Sequence, residues 1–232
     1  MGKLIQVQEK NIKGFNLIEL LVVIAIISVI SAAAYPNFSS WKKAREVRGA
    51  AVKIKSLFTN INSQVQRGLY GFIQVEVTAS TTGGEVVVIS KGMKLSNLSS
   101  KINDSDDDWN TDQTSRCALD QDWDDEGMDS EGIKSNKLEV NSLKFNDIAV
   151  NFEDKSGTVC FSKDGSWYSA AEEFESSGVF YICEGKKIKC SVKANGEPND
   201  LKHNNLFALN WSRFGNITLE KWSKSKIEWI LQ

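Results

Sequence analysis

Histidine is almost missing from this chain: among 232 residues there is one, His203. A single imidazole leaves no material for a His-based catalytic dyad or a multi-histidine metal cluster. Four cysteines are present, yet no two form a Cys-x-x-Cys pair, which removes the usual zinc-site spacing. The sequence also lacks Gly-x-Ser-x-Gly, a Walker loop and the dinucleotide-binding glycine fingerprint. Paired acids are plentiful, but abundance in a charge run is not a site. These absences point away from an enzyme.

What the chain does have is one long apolar run. From Phe15 to Tyr35 the only polar residues are Asn16, Glu19, Ser28 and Ser31. About 20 apolar residues span a hydrocarbon core as a helix, so a single membrane span over 15–35 is expected. A leader, Met1 to Gly14, precedes it with Lys3, Lys10 and Lys13 against Glu9, and would hold its start in the cytoplasm. The flank beyond Trp41 is basic as well, with Lys42, Lys43, Arg45 and Arg48, so charge alone does not fix the orientation. Glu19 interrupts the run, and a carboxylate in lipid costs roughly 2.5–3.5 kcal/mol even on the lenient insertion scale. It either stays protonated or pairs with a positive group at the same depth. A free amine at Phe15, on its own chain or a neighbour's, is the nearest such group once the leader is removed. A competing reading is an ordinary secretory signal, because Ala32-Ala33-Ala34 is a small-residue cleavage pattern. Cleavage after Ala34 would release a soluble periplasmic binding protein beginning at Tyr35.

The segment Lys13-Gly14-Phe15-Asn16-Leu17-Ile18-Glu19-Leu20 resembles the processing site of type IV pilins and pseudopilins. The resemblance implies cleavage by a prepilin peptidase after Gly14, N-methylation of Phe15, and filament assembly in which Glu19 meets a neighbour's N-terminus. It also implies residence in the inner membrane, with the C-terminal part periplasmic, before incorporation into a pilus or secretion pseudopilus with copies of itself and other pilins. Two further stretches are loosely similar to the H-type (GspH) pseudopilins and the FimT/FimU-type minor pilins. One is Val159-Cys160-Phe161-Ser162-Lys163-Asp164-Gly165; the other, Leu209 to Ile217, looks like their closing hairpin.

Beyond Pro36, Ala44, Val47, Ala51, Ile54, Phe58, Ile61 and Val65 recur at spacings of three and four, one apolar stripe on an amphipathic helix. Lys42, Lys43, Arg45, Arg48, Lys53, Lys55 and Arg67 fall mostly off that stripe, and Gly68 is a natural stop. One helix from Phe15 to about Arg67 would be on the order of 80 Å long, with Pro36 bending it. Coiled-coil pairing is the other use of such a stripe. From Leu69 onward the pattern turns to short β-like runs. They are Leu69–Thr78, Glu85–Ser90, Leu138–Phe152, Thr158–Ser162, Val179–Cys183, Ile188–Lys193, Asn205–Trp211, Ile217–Trp222 and Lys226–Leu231, with turns at Gly83-Gly84, Asp164-Gly165, Gly185 and Gly215-Asn216. The expected fold class is α+β: a leader 1–14, a membrane or filament-core helix 15–35, an amphipathic half 36–68, and a β-rich domain 69–232 packed on it.

All four cysteines lie beyond the apolar run, so export would place them in an oxidising space. Cys183 and Cys190 flank an expected hairpin tip and suit a cross-strand bridge, which in so short a loop would contribute roughly 2 kcal/mol. Four cysteines allow three connectivities; the preferred one is Cys183–Cys190 with Cys117–Cys160. Between Ile102 and Glu131 there are twelve Asp or Glu against one Arg, a local charge of −11, whereas the whole chain is −2 and the remainder therefore +9. Most of this segment is expected to be a solvated acidic loop. Asp120, Asp122, Asp124, Glu126 and Glu131 match positions 1, 3, 5, 7 and 12 of a helix–loop–helix calcium site, although Asp125 stands where a glycine belongs. Calcium is thus the one candidate ligand, and no cofactor is required. The same loop could face the basic helix half of a neighbouring subunit. Lys221, Lys224 and Lys226, interleaved with Trp222 and Trp229, offer phosphate contact and base stacking in the manner of a DNA-binding competence pilin. The Arg motif of FimT-type tails is absent, and removing the leader leaves 25 basic against 29 acidic residues, so DNA is the weaker alternative.

Overall fold

In the computed structural model the described residues are 16–79, 85–103, 117, 123, 138–152, 157–163, 167–169, 177–185, 190, 192–193, 196–199, 205–212 and 216–232. They comprise α1 (Leu17–Gln66), β1 (Tyr70–Ala79), β2 (Glu85–Lys94), α2 (Leu95–Asn103), β3 (Leu138–Asn146), β4 (Ile148–Phe152), β5 (Thr158–Ser162), β6 (Trp167–Ser169), β7 (Ser177–Glu184), β8 (Leu206–Ser212), β9 (Ile217–Ser223) and β10 (Glu228–Leu231). The chain forms two compact units, Met1–Lys42 and Lys43–Gln232. The first contains the apolar part of α1. The second contains the rest of α1 and two antiparallel five-stranded sheets, ordered β3-β2-β1-β5-β6 and β10-β9-β8-β7-β4.

The α1 stripe is the centre of the second unit. Val47, Ala51, Ile54, Phe58, Ile61 and Val65 are buried, as the spacing predicts, and Ala50 joins them. They share one core with Ile73, Val75, Val86, Val88, Val159 and Phe161 of the first sheet. Ile148, Val150, Phe180, Ile182, Phe207, Leu209, Trp211 and Leu219 of the second sheet belong to the same core. Phe58 sits at the seam: its ring centroid lies 5.7 Å from Phe161 of the first sheet and 6.4 Å and 5.5 Å from Phe180 and Trp211 of the second. The stripe is therefore committed to the β-domain and not to a coiled coil, and the fold is α+β, a helix packed on antiparallel sheets. The helix stops where Gly68, at φ 72°, takes the left-handed conformation, with Gly68 N–H donating to the Val65 carbonyl at 2.9 Å.

Three expectations about the β-rich part change. The run Leu138–Phe152 is two strands, because Asp147 adopts φ 58°. β3 pairs with β2 and β4 with β7, so this residue carries the chain from one sheet to the other. Aspartate tolerates the left-handed region better than most residues. Ile188–Lys193 is not a strand at its described positions: Cys190 and Lys193 are unassigned, and Val192 makes only an isolated bridge with Pro198. The helix α2 is new, and it means that the segment read as an acidic loop from 102 begins inside a helix. Leu98 of α2 packs so closely on Gly71 that a Cβ there would collide with it.

Each sheet also has an outer face, away from α1, and each is covered by a disulfide-held segment. Phe72, Met93 and Cys160 on the outer face of the first sheet enclose Cys117 and Trp123, with Leu98 at the edge. Trp123 is 1% exposed although two aspartates flank it in sequence. Cys117 is bonded to Cys160 with Cα atoms 5.6 Å apart, and Gln74 Nε2 donates to the Cys117 carbonyl at 3.4 Å. On the second sheet, Tyr181, Leu206, Ala208 and Trp222 pack with Cys190 and Val192. Cys183–Cys190 (Cα atoms 5.8 Å apart) and a Trp229 Nε1–H bond to the Gly196 carbonyl at 3.2 Å secure that cover. Both expected pairings are therefore present.

Phe58→Ala should cost about 3–5 kcal/mol, the upper range for truncating a buried aromatic, because its ring touches both sheets; denaturant unfolding of detergent-solubilised protein followed by circular dichroism measures it. Loop-closure entropy ranks the disulfides. Cys117–Cys160 spans 43 residues and Cys183–Cys190 spans 7. Replacing the first pair by alanine should cost about 4 kcal/mol and the second about 2 kcal/mol, and equal losses in the same unfolding experiment would contradict the ranking.

Candidate functional site

The start of α1 is built by a local signal. Asn16 lies just outside the helix, and its carbonyl accepts from the N–H groups of Glu19 (3.0 Å) and Leu20 (3.2 Å). Asn16 is thus the N-cap and Glu19 the third helical residue, the spacing of a capping box. A carboxylate there also complements the positive end of the helix dipole. That second reason for Glu19 was legible as Asn-x-x-Glu but was hidden by the apolar run around it. Among the described residues Glu19 makes no ion pair; Gly14 and Phe15 lie outside them.

From Leu17 to Ile30 the helix exposes apolar side chains on every side, including Leu17 at 74%, Leu21 at 53% and Val29 at 71%. A surface of this kind is covered by lipid or by other protein in any working state. Among the described residues no helix is long and apolar enough to cross a membrane; Phe15 and the side chains of 33–37, which the expected span includes, lie outside them. Helical structure continues from Leu17 through Ala34 and Pro36 to Gln66, so cleavage after Ala34 would cut within α1.

The other candidate residues are not brought together with this segment. Lys221 lies on the core side of β9, its Nζ 5.8 Å from the Phe207 ring centroid. Lys224 and Lys226 are exposed in the β9–β10 turn, and Lys226 is 3.7 Å from Glu228. The three lysines do not line one groove. Asp120, Asp122, Asp124, Glu126 and Glu131 lie outside the described residues.

Comparison with known proteins bears on the N-terminus. Residues 10–35 match the family model described as the prokaryotic N-terminal methylation motif. Two fimbrial proteins of Pseudomonas aeruginosa are each 36% identical over 56 residues, which is 24% of this chain and 36% of theirs. The chain thus spans about a third of the length of the curated relatives it matches. Two crystal structures of the type IV minor pilin FimU from Pseudomonas aeruginosa align over 82% and 79% of this chain and 96% of theirs. Their identities are 13% and 12% and their TM-scores 0.38 and 0.36. The N-terminal segment of this chain thus carries the prokaryotic N-terminal methylation motif and is similar there to fimbrial proteins.

Proposed function

We propose that this chain is a structural subunit of a type IV pilus or a type II secretion pseudopilus. The leader 1–14 is removed by a prepilin peptidase after Gly14, and the new amine of Phe15 is methylated. Residues 15–35 hold the subunit in the inner membrane and then move into the core of a filament of pilins. The observation that carries this reading is the methylation motif over 10–35 running directly into a helix that is apolar and exposed on all sides. Such a helix has a use only where lipid or neighbouring helices surround it. Glu19 then has a role that an ordinary anchor lacks. In an apolar packing, its charge is stabilised by the amine of a neighbour's Phe15, and the pair fixes the axial step between subunits. The β-rich unit sits on the filament surface, where it makes the contacts particular to this subunit. The role is structural and not catalytic.

Mass spectrometry of the N-terminal peptide from the native host should find N-methylated Phe15. A start at Tyr35 would discard the filament reading. Glu19→Ala should leave that processing intact while sharply reducing filaments in the sheared surface fraction, and normal filament yield would remove Glu19 from the register role.

A further inference from the structure

The basic flank that follows the apolar run has no part in the filament reading, and its sign opposes the side it occupies. Lys42, Lys43, Arg45 and Arg48 stand against Glu46 alone, a net +3 over residues 42–48. Lysine and arginine close to a span gather on its cytoplasmic side, whereas the reading above exports this flank. Removal of the leader sharpens the conflict, because Lys3, Lys10 and Lys13 leave with it. Cations placed against the rule need an anion on the side they reach. Lys43 finds one within the chain, its Nζ 3.2 Å from Glu184 Oε1. Lys42, Arg45 and Arg48 are exposed, and among the described residues Arg48 makes no ion pair.

Chain length sets which cations reach a lipid surface. Helical structure is continuous from Leu17 to Gln66. At the rise of an α-helix, Lys42 is at most about 11 Å from Tyr35, Arg45 about 15 Å and Arg48 about 20 Å. Lys53 and Lys55 follow at about 27 and about 30 Å, and a bend shortens all of these in the same order. The polar layer of a bilayer extends about 5–8 Å beyond the hydrocarbon on each side. The attraction of an anionic surface fades over about 8 Å more at physiological salt. Lys42, Lys43 and Arg45 fall inside that reach, and Arg48 gains it through the length of its side chain. An aromatic pair marks the same level: Phe38 and Trp41 are 61% and 56% exposed, with ring centroids 5.9 Å apart. Tryptophan concentrates where hydrocarbon gives way to headgroups, and here it directly precedes the first cation.

We propose that Lys42, Lys43, Arg45 and Arg48 bind the headgroups of anionic phospholipids in the leaflet from which the chain emerges. This rests on the membrane stage of the reading above and adds the class of lipid that the subunit selects there. The lipid phosphate supplies the anion that the flank lacks, and an arginine can fork onto it through two N–H groups. A zwitterionic lipid carries a phosphate too, but its own amine cancels the net charge, so the flank discriminates by field. Held in this way, the subunit keeps one depth in the membrane before assembly. Its entry into a filament then exchanges these lipid contacts for others.

The test uses the subunit as its native host processes it, taken from the membrane fraction and reconstituted in phosphatidylcholine vesicles. A trace of spin-labelled phosphatidylglycerol or spin-labelled phosphatidylcholine is added, and electron paramagnetic resonance reads the fraction of label slowed at the protein. Phosphatidylglycerol should associate about fivefold more strongly or better, the value of one lysine or arginine near an anionic surface. That preference should collapse at high salt. Lys42→Gln/Arg45→Gln/Arg48→Gln should bring it close to onefold while the thermal midpoint by circular dichroism stays at the wild-type value. Arg45→Lys/Arg48→Lys, which keeps the charge, should retain most of it, and Lys53→Gln/Lys55→Gln should leave it unchanged. Equal association of the two lipids with the wild type overturns the proposal and leaves the membrane reading standing. Full selectivity in the triple glutamine variant, or its loss in Lys53→Gln/Lys55→Gln, overturns it as well by placing the anion site elsewhere. If neither lipid is slowed, the chain is not in the bilayer, and the membrane reading falls together with the proposal.

Discussion

The packing of Phe58 between two sheets is the contact on which the rest of the globular unit depends. Neither sheet can bury its inner face against the other alone; each presents apolar residues that meet the α1 stripe. A helix that is apolar all round at one end and striped at the other can serve two environments without a change of secondary structure. Its first part is left for lipid or for neighbours, and its second is the shared wall of a single core. That division follows from side-chain spacing alone, three and four residues apart after Ala44 and continuous before it.

Outside that core, covalent bonds do what strands do elsewhere. The segments around Cys117 and Cys190 contribute little regular structure among their described residues, yet each supplies buried side chains to the outer face of a sheet. One disulfide fixes each. Trp123 is buried within a sequence rich in aspartate, in the same segment as the Cys117 that the bond to Cys160 holds.

Much of this was readable from the chain. The stripe on α1 named six of the residues that make its buried face, and both cysteine pairs were anticipated. What escaped was local and physical. Leu138–Phe152 reads as one alternating strand because the left-handed turn at Asp147 leaves no mark in hydrophobicity. Ile188–Lys193 has β-like composition, but its cysteine is positioned by a disulfide and not by a ladder. α2 is short, and its one well-placed apolar contact, Leu98 on Gly71, becomes visible only once β1 is in place. At the N-terminus the apolar run was plain, whereas the cap Asn16 was masked by the more conspicuous acid three residues later.

The separation of the two cysteine pairs along the chain has a consequence for the order of events during export. In the proposed export, Cys117 would emerge first and wait for Cys160, 43 residues later, while Cys190 follows Cys183 by only 7. During that interval Cys117 carries an unpaired thiol, and β1 to β3 have emerged without β5, which completes their side of the sheet. Once β5 arrives, the correct partner appears before either of the later cysteines does. The linear order of the four thiols therefore favours the native pairing by timing, before packing has any chance to select it.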